Sequence, residues 1–280
     1  MIGWDKIILS HPVIRRLKMA RNSLKNVIRL IDVEKQELSP EKAFLNDLKR
    51  SIEITEQKNK RKPSPTYKPS SMNCMRQSYY QITEVDPDDN GMNYNFIGIC
   101  NSGTDIHVRI QTAVDHMKEN DIDCEYIDVG QYIKERKLKN IEVRSKDGME
   151  TKLYHKKLNL SFMCDGIIRY RGHYYILELK TENSNKFWTR NEVDPSHYKQ
   201  ATAYSIALEI NDVLFVYISR DTLAMKSFMF TPPDYMKHDL IAYIDTCDSY
   251  LKKLKVPPKD GDNKTCSYCN YKNQCRKDGE

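Results

Sequence analysis

No stretch of the 280 residues reaches eighteen consecutive apolar positions, so the chain offers no candidate membrane span. The N-terminus, Met1-Ile-Gly-Trp-Asp5-Lys6, lacks a basic segment followed by an apolar one, and no export signal is expected. No Gly-x-x-x-x-Gly-Lys-Ser/Thr loop occurs, which excludes a nucleotide-driven motor built on that loop. There is no internal repeat. Eight cysteines without an export signal point to a reducing compartment, where thiols bind metal or fill cores more often than they form disulfides.

What is present suits a folded chain. The length can bury a full core, and 39% hydrophobic with 10% aromatic residues argues against global disorder despite 30% charged residues. Residues 1–70 hold 16 Lys/Arg against 8 Asp/Glu, a net of +8; the whole chain nets +6, so the remainder nets −2. A basic end on a near-neutral body suits a phosphate-backbone partner, although a solvated helical surface would have the same composition.

Val13, Leu17, Ala20, Leu24, Val27 and Ile31 recur at helical steps after Ser10-His11-Pro12. Ser39-Pro40-Glu41 predicts a second helix start, with Leu45, Leu48 and Ile52 on its stripe. Residues 11–57 therefore read as a helical hairpin, and residues 58–71, with three prolines, as a linker. Ser102-Gly103-Thr104-Asp105 predicts a further helix with Ser102 as N-cap. Residues 141–170 are β-rich with a turn at Lys146-Asp147-Gly148, and 173–181 form a β-prone run. A helix from Asp194 to about Glu209, strands over 213–219 and 225–230, and a helix over 235–254 follow. The last two dozen residues show neither period.

Residues 160–181 carry the most chemistry. Arg171-Gly172 lies between two β-prone runs and reads as a hairpin turn, so that paired positions sum to 343. Asp165 then faces Glu178, with Cβ atoms roughly 4.5–5.5 Å apart. Two carboxylates so close repel unless a cation lies between them. Lys180 falls on the same strand face as Glu178. Two hard oxygen ligands beside an ammonium suit Mg²⁺ or Mn²⁺; a surface Glu-x-Lys pair is the alternative.

Asp165 followed by Glu178-Leu179-Lys180 resembles the core of the PD-(D/E)XK nucleases. Gly103-Thr104-Asp105-Ile106-His107 resembles the Gly-x-x-x-His motif of the RecB-like branch, and Gln200-Ala-Thr-Ala-Tyr204 its Gln-x-x-x-Tyr motif, in the same order along the chain. Met163-Cys164 stands where the family usually has a proline before the aspartate. The resemblance covers about residues 70–280. It implies a restriction-endonuclease-like α/β fold: a mixed central sheet flanked by helices, with an N-terminal helical extension and a C-terminal cysteine-rich segment. The corresponding division is 1–70 basic extension and linker, 71–255 nuclease core, and 256–280 cysteine-rich segment.

The resemblance also implies the site. His107, Asp165, Glu178 and the Leu179 carbonyl would bind Mg²⁺ or Mn²⁺, and Lys180 would orient the attacking water. Gln200 and Tyr204 would position the strand, and Arg76 with the basic N-terminal residues would grip phosphates. The implied activity is a metal-dependent DNA exonuclease on single-stranded or resected DNA. Alternatives are an end-processing subunit of a recombination or CRISPR-adaptation complex, and a non-cleaving, zinc-stapled DNA-binding protein.

Cys266-Ser-Tyr-Cys269-Asn-Tyr-Lys-Asn-Gln-Cys275 places three thiols within ten residues, one short of a tetrahedral set. In the iron–sulfur members of the RecB-like branch a distant upstream cysteine completes it. Cys74 stands in that place, with Cys100 in reserve, so the resemblance implies a [4Fe-4S] cluster on Cys74, Cys266, Cys269 and Cys275. Softness and geometry alone admit Zn²⁺ equally. Cys100, Cys124, Cys164 and Cys247 read as buried small hydrophobes. DNA is the expected partner, with replication or recombination proteins as further candidates. The expected location is the cytoplasm of a bacterial or phage-infected cell.

Overall fold

The computed structural model describes residues 39–59, 64–88 and 93–279. The chain divides into two compact units, residues 1–58 and 59–280. In the first, helix α1 (Pro40–Lys58) begins where Ser39-Pro40 predicts. The Ser39 carbonyl accepts from the Lys42 and Ala43 amides, and its hydroxyl donates to the Glu41 carboxylate. Leu45, Leu48 and Ile52 are exposed on it. The other helix of the expected hairpin lies outside the described residues.

The second unit opens with a segment that packs as core. Tyr67 is 1% exposed, bridges Leu160, and donates its hydroxyl to Asp248 at 2.6 Å. Residues 64–71, expected as linker, are therefore tied to the body, because one large aromatic outweighs a proline-rich composition. Helix α2 (Met75–Ile82) follows Cys74. Helix α3 spans Tyr94–Asp115 and starts at Asn93, whose side chain accepts from the Phe96 amide. Ser102 is thus inside the helix and not its N-cap.

Strand β1 (Cys124–Ile127), helix α4 (Val129–Glu135), and strands β2 (Ile141–Asp147), β3 (Glu150–His155) and β4 (Leu160–Cys164) come next. The last three form an antiparallel sheet, and the predicted turn places Gly148 at φ +57°. The chain then crosses into a second sheet through β5 (Gly166–Tyr170) and β6 (His173–Glu182). Helices α5 (Ser184–Thr189) and α6 (Tyr198–Leu208) lead to β7 (Val213–Ser219) and β8 (Met225–Phe230). This sheet has the order β1-β5-β6-β7-β8, with β6 and β7 parallel and every other pair antiparallel.

Its two faces are filled from opposite sides. Leu177, Leu179, Ile168 and Ile218 pack with Ile106 and Ile110 of α3. Ile167, Ile176, Phe215 and Tyr217 join the larger core, with Ala203, Ala207 and Leu208 of α6 and Leu240 and Ile244 of helix α7 (Asp234–Lys252). A central strand covered on both faces reads as a nearly continuous apolar run, as β6 and β7 do. The result is the restriction-endonuclease-like arrangement expected, a mixed five-stranded sheet flanked by helices. The C-terminal segment, expected to lack regular structure, contains two short helices, α8 (Asn263–Ser267) and α9 (Lys272–Lys277), too short to show a period. Among the described residues no helix is long and apolar enough to cross a membrane.

Candidate active site

Asp165 lies at the step between the two sheets, after Cys164 ends β4 and before Gly166 begins β5. Three elements hold it there. Its carbonyl accepts from Gln111 Nε2 of α3 at 2.7 Å and from the Tyr126 hydroxyl of β1 at 2.6 Å. Its Oδ2 accepts from the Leu179 amide of β6 at 2.7 Å. A Cβ on Gly166 would meet the Tyr126 ring at 2.6 Å, so the residue after Asp165 has to be glycine for the tyrosine to reach that carbonyl.

The hairpin register is as the turn predicts: Gly166 pairs with Leu177 and Tyr170 with His173, and Arg171 and Gly172 take φ +49° and +81°. Glu178 is 3% and Asp165 7% exposed. Glu178 and Lys180 point to the α6 side, where Gln200 and Tyr204 sit one turn apart and are both buried. Lys180 Nζ donates to Glu178 Oε1 at 2.6 Å and to Gln200 Oε1 at 2.9 Å. Gln200 Nε2 reaches Glu178 Oε1 at 2.7 Å and the Tyr204 hydroxyl at 2.8 Å, and that hydroxyl donates to the Met163 carbonyl at 2.8 Å.

His107 comes from α3. Its Nδ1 lies 3.4 Å from Asp165 Oδ1 and 3.9 Å from Glu150 Oε1. Ligand atoms of His107, Glu150 and Asp165 all lie within 4.8 Å of one another. The sequence pattern pointed to His107, Asp165 and Glu178 and missed Glu150, which lines the same cavity. The β3–β4 register explains Glu150: Thr151 pairs with Cys164, which brings residue 150 to the level of residue 165. Ligands of an octahedral Mg²⁺ at about 2.0–2.1 Å stand up to roughly 4.2 Å apart, so small side-chain rotations would let this trio close on such an ion.

The electrostatics are those of acids crowded out of water. Burial pushes the Glu178 carboxyl up to about 7; Asp165 adds to this, and Lys180 opposes it. Burial disfavours a charged His107, but the hydrogen bond and charge of Asp165, with Glu178 and Glu150, outweigh it and hold the imidazole above its usual range. All these groups line one cavity of about 630 Å³, which Leu179, Lys68 and Lys152 also line.

No family model matches this chain, and no curated protein does. It is similar in structure to SSO0001, at 17% identity and a TM-score of 0.45, over 85% of this chain and 98% of that one. It is also similar to LHK-Exo, an alkaline exonuclease from Laribacter hongkongensis, at 11% identity and a TM-score of 0.41, over 69% and 90% of the two chains. The complex of LHK-Exo with dAMP gives 13% identity, a TM-score of 0.41, and 68% and 89% coverage. Likeness of this degree transfers no residue role.

A second cavity, of about 420 Å³, is lined by Cys74, Cys266, Cys269 and Cys275. The Cys74 side chain packs against Gly261, where an added Cβ would meet its Sγ at 3.4 Å, and Cys266 Sγ lies 3.6 Å from the Gly261 carbonyl. Burial pushes the Cys74 and Cys269 thiols up. Arg76 belongs to this site and does not line the acidic cavity. It is 6% exposed, and its guanidinium donates to the Pro257 carbonyl at 2.9 Å, the Gly279 carbonyl at 2.6 Å and Cys275 Sγ at 3.3 Å. The phosphate grip expected of Arg76 is therefore corrected: its donors are turned inward. Cys124, Cys164 and Cys247 are buried as expected, whereas Cys100 is exposed on α3, because that helix begins nine residues earlier than Ser102 suggested.

Proposed function

We propose that the chain is a divalent-metal-dependent deoxyribonuclease of the PD-(D/E)XK type, RecB-like branch, acting as an exonuclease on single-stranded or resected DNA. The observation that carries this reading is the meeting of His107, Glu150 and Asp165 in the cavity that also holds the Glu178–Lys180–Gln200 network. Two acids crowded together, Asp165 buried and Glu150 half-buried beside a half-buried imidazole, repel unless a cation lies between them, and oxygen-rich donors favour Mg²⁺ or Mn²⁺. His107, Glu150 and Asp165 would hold the ion, with Glu178 and the Leu179 carbonyl beside them; bound there, it supplies Lewis acidity toward a phosphoryl oxygen and a more acidic water.

The side chains then divide the work. Lys180 offers a positive charge and N–H donors beside the acids, where a water or a developing phosphoryl oxyanion would lie. Gln200 and Tyr204 keep Lys180 and Glu178 in place, since Gln200 bonds to both of them and to the Tyr204 hydroxyl, which is itself anchored on the Met163 carbonyl. The walls of β3, β6 and α6 restrict water around the acids. For the four-cysteine cavity the reading is a structural [4Fe-4S] cluster on Cys74, Cys266, Cys269 and Cys275. Four thiols suit a tetrahedral Zn²⁺ as well; the resemblance to the iron–sulfur members of the RecB-like branch is what favours the cluster.

The test is Asp165→Asn and Lys180→Met, assayed on DNA labelled at either end with Mg²⁺ or Mn²⁺. Each variant is expected to lose at least about a hundredfold in rate while remaining folded by circular dichroism. Cleavage at the wild-type rate in folded D165N would overturn the assignment.

A further inference from the structure

Two amines share the acidic cavity without an acid of their own. Lys152 lies on β3 two residues from Glu150, hence on the same strand face. Lys68 follows Tyr67, whose bridge to Leu160 and whose carbonyl, accepting from the Ser161 amide at 2.8 Å, fix the 64–70 segment along β4. Both lysines line the cavity together with the hydroxyl residues Ser64, Ser70 and Ser161. Among the described residues no carboxylate forms an ion pair with either lysine. Every other amine on this cavity is engaged: Lys180 is held by Glu178 and Gln200.

Like charges that face one another across a partly desolvated cavity repel. Burial, with the nearby Lys152 charge, depresses the Lys68 amine below its ordinary value. Such a pair becomes favourable once an anion lies between its members. The cavity therefore has an acidic end, suited to a cation, and a cationic end, suited to an anion.

We propose that Lys68 and Lys152 form a phosphate-binding subsite that holds a backbone phosphate of a nucleic-acid strand next to the acidic centre. The inference rests on the nuclease reading for the position of the strand, but it makes a separate claim about binding. It also supplies the contact that sequence assigned to Arg76. Lysine suits the task because a compact ammonium grips phosphate as a point charge, without fixing a base.

Binding of a fluorescently labelled oligothymidylate is followed by anisotropy in EDTA over a series of salt concentrations, so that nothing is cut and no divalent ion takes part. For single strands, each phosphate contact contributes about −0.7 to the slope of log K against log salt. K68Q and K152Q are each expected to flatten the slope by about 0.7 and the double variant by about 1.4. K253Q, exposed and outside the cavity, is expected to leave it unchanged. A double variant with the wild-type slope overturns the proposal, as does a wild type that binds no oligonucleotide at low salt. Cleavage by D165N is scored separately. An inactive D165N beside an unchanged double-variant slope removes the subsite and keeps the nuclease; an active D165N beside a flattened slope does the reverse.

Discussion

Single residues in this fold answer to their surroundings more than to their type. Arg76, a cation beside a cysteine motif, reads as a phosphate contact in sequence, yet it is buried and bonded to the C-terminal segment. Glu150, an unremarked acid after a turn, stands beside His107 and Asp165. His197 stacks on Tyr217 and Phe215, and its Nδ1 lies 2.9 Å from the Tyr217 hydroxyl. Burial, with the Lys180 charge behind it, pushes its imidazole down to about 3. The folded pKa is below the unfolded one, so the contribution of neutral His197 is complete above about 6.5 and is lost as pH falls toward 3. Glu178 and His107, both raised, act with the opposite sign, so the effect has to be isolated by difference. Urea unfolding of wild type and H197Q between pH 7 and pH 5 is expected to show the wild-type advantage shrinking by about 1–2 kcal/mol. A constant difference across that interval would contradict the burial argument.

At the scale of elements, what could be read from sequence follows from which turns declare themselves. Arg171-Gly172 fixes the β5–β6 register, because a two-residue loop with both φ positive leaves one pairing, and Asp165 and Glu178 follow from it. The β3–β4 connection, Lys156 to Asn159, contains neither glycine nor proline, so its register was not readable and Glu150 went unnoticed. Gln200 and Tyr204 were legible only through the resemblance to the Gln-x-x-x-Tyr motif; their four-residue spacing added that they share one helix face, whatever the exact helix ends. The start of α3 was misplaced for an instructive reason. Ser102-Gly103 is poor helix sequence and reads as a beginning. In the structure Gly103 is interior, and a Cβ there would stand 3.2 Å from Thr181 Oγ1; the lost helix propensity accompanies a close approach of α3 to β6, which brings His107 to the acids.

At the scale of the body formed by residues 59–280, two constraints act far apart in the chain. Cys74 and Cys266 are 192 residues apart in sequence, so a group bound by all four thiols ties the start of the folded body to its end. By chain entropy, closing a loop of that length stabilises by about 5 kcal/mol. Anaerobically purified protein is expected to be coloured and to contain iron, and C269S to lose both and to melt lower by more than about 10 °C. A colourless wild type containing zinc would contradict the cluster. The other constraint is the meeting of α3, the small sheet and the hairpin at Asp165, on which every catalytic statement above depends. Its most direct test is calorimetric titration of Mn²⁺ into wild-type protein and into E150Q and D165N. The account predicts one bound ion per chain at this site, weakened roughly tenfold or more by either substitution. Equal affinity in all three folded proteins would show that the ion is held elsewhere, and the proposed hydrolytic centre would fall with it.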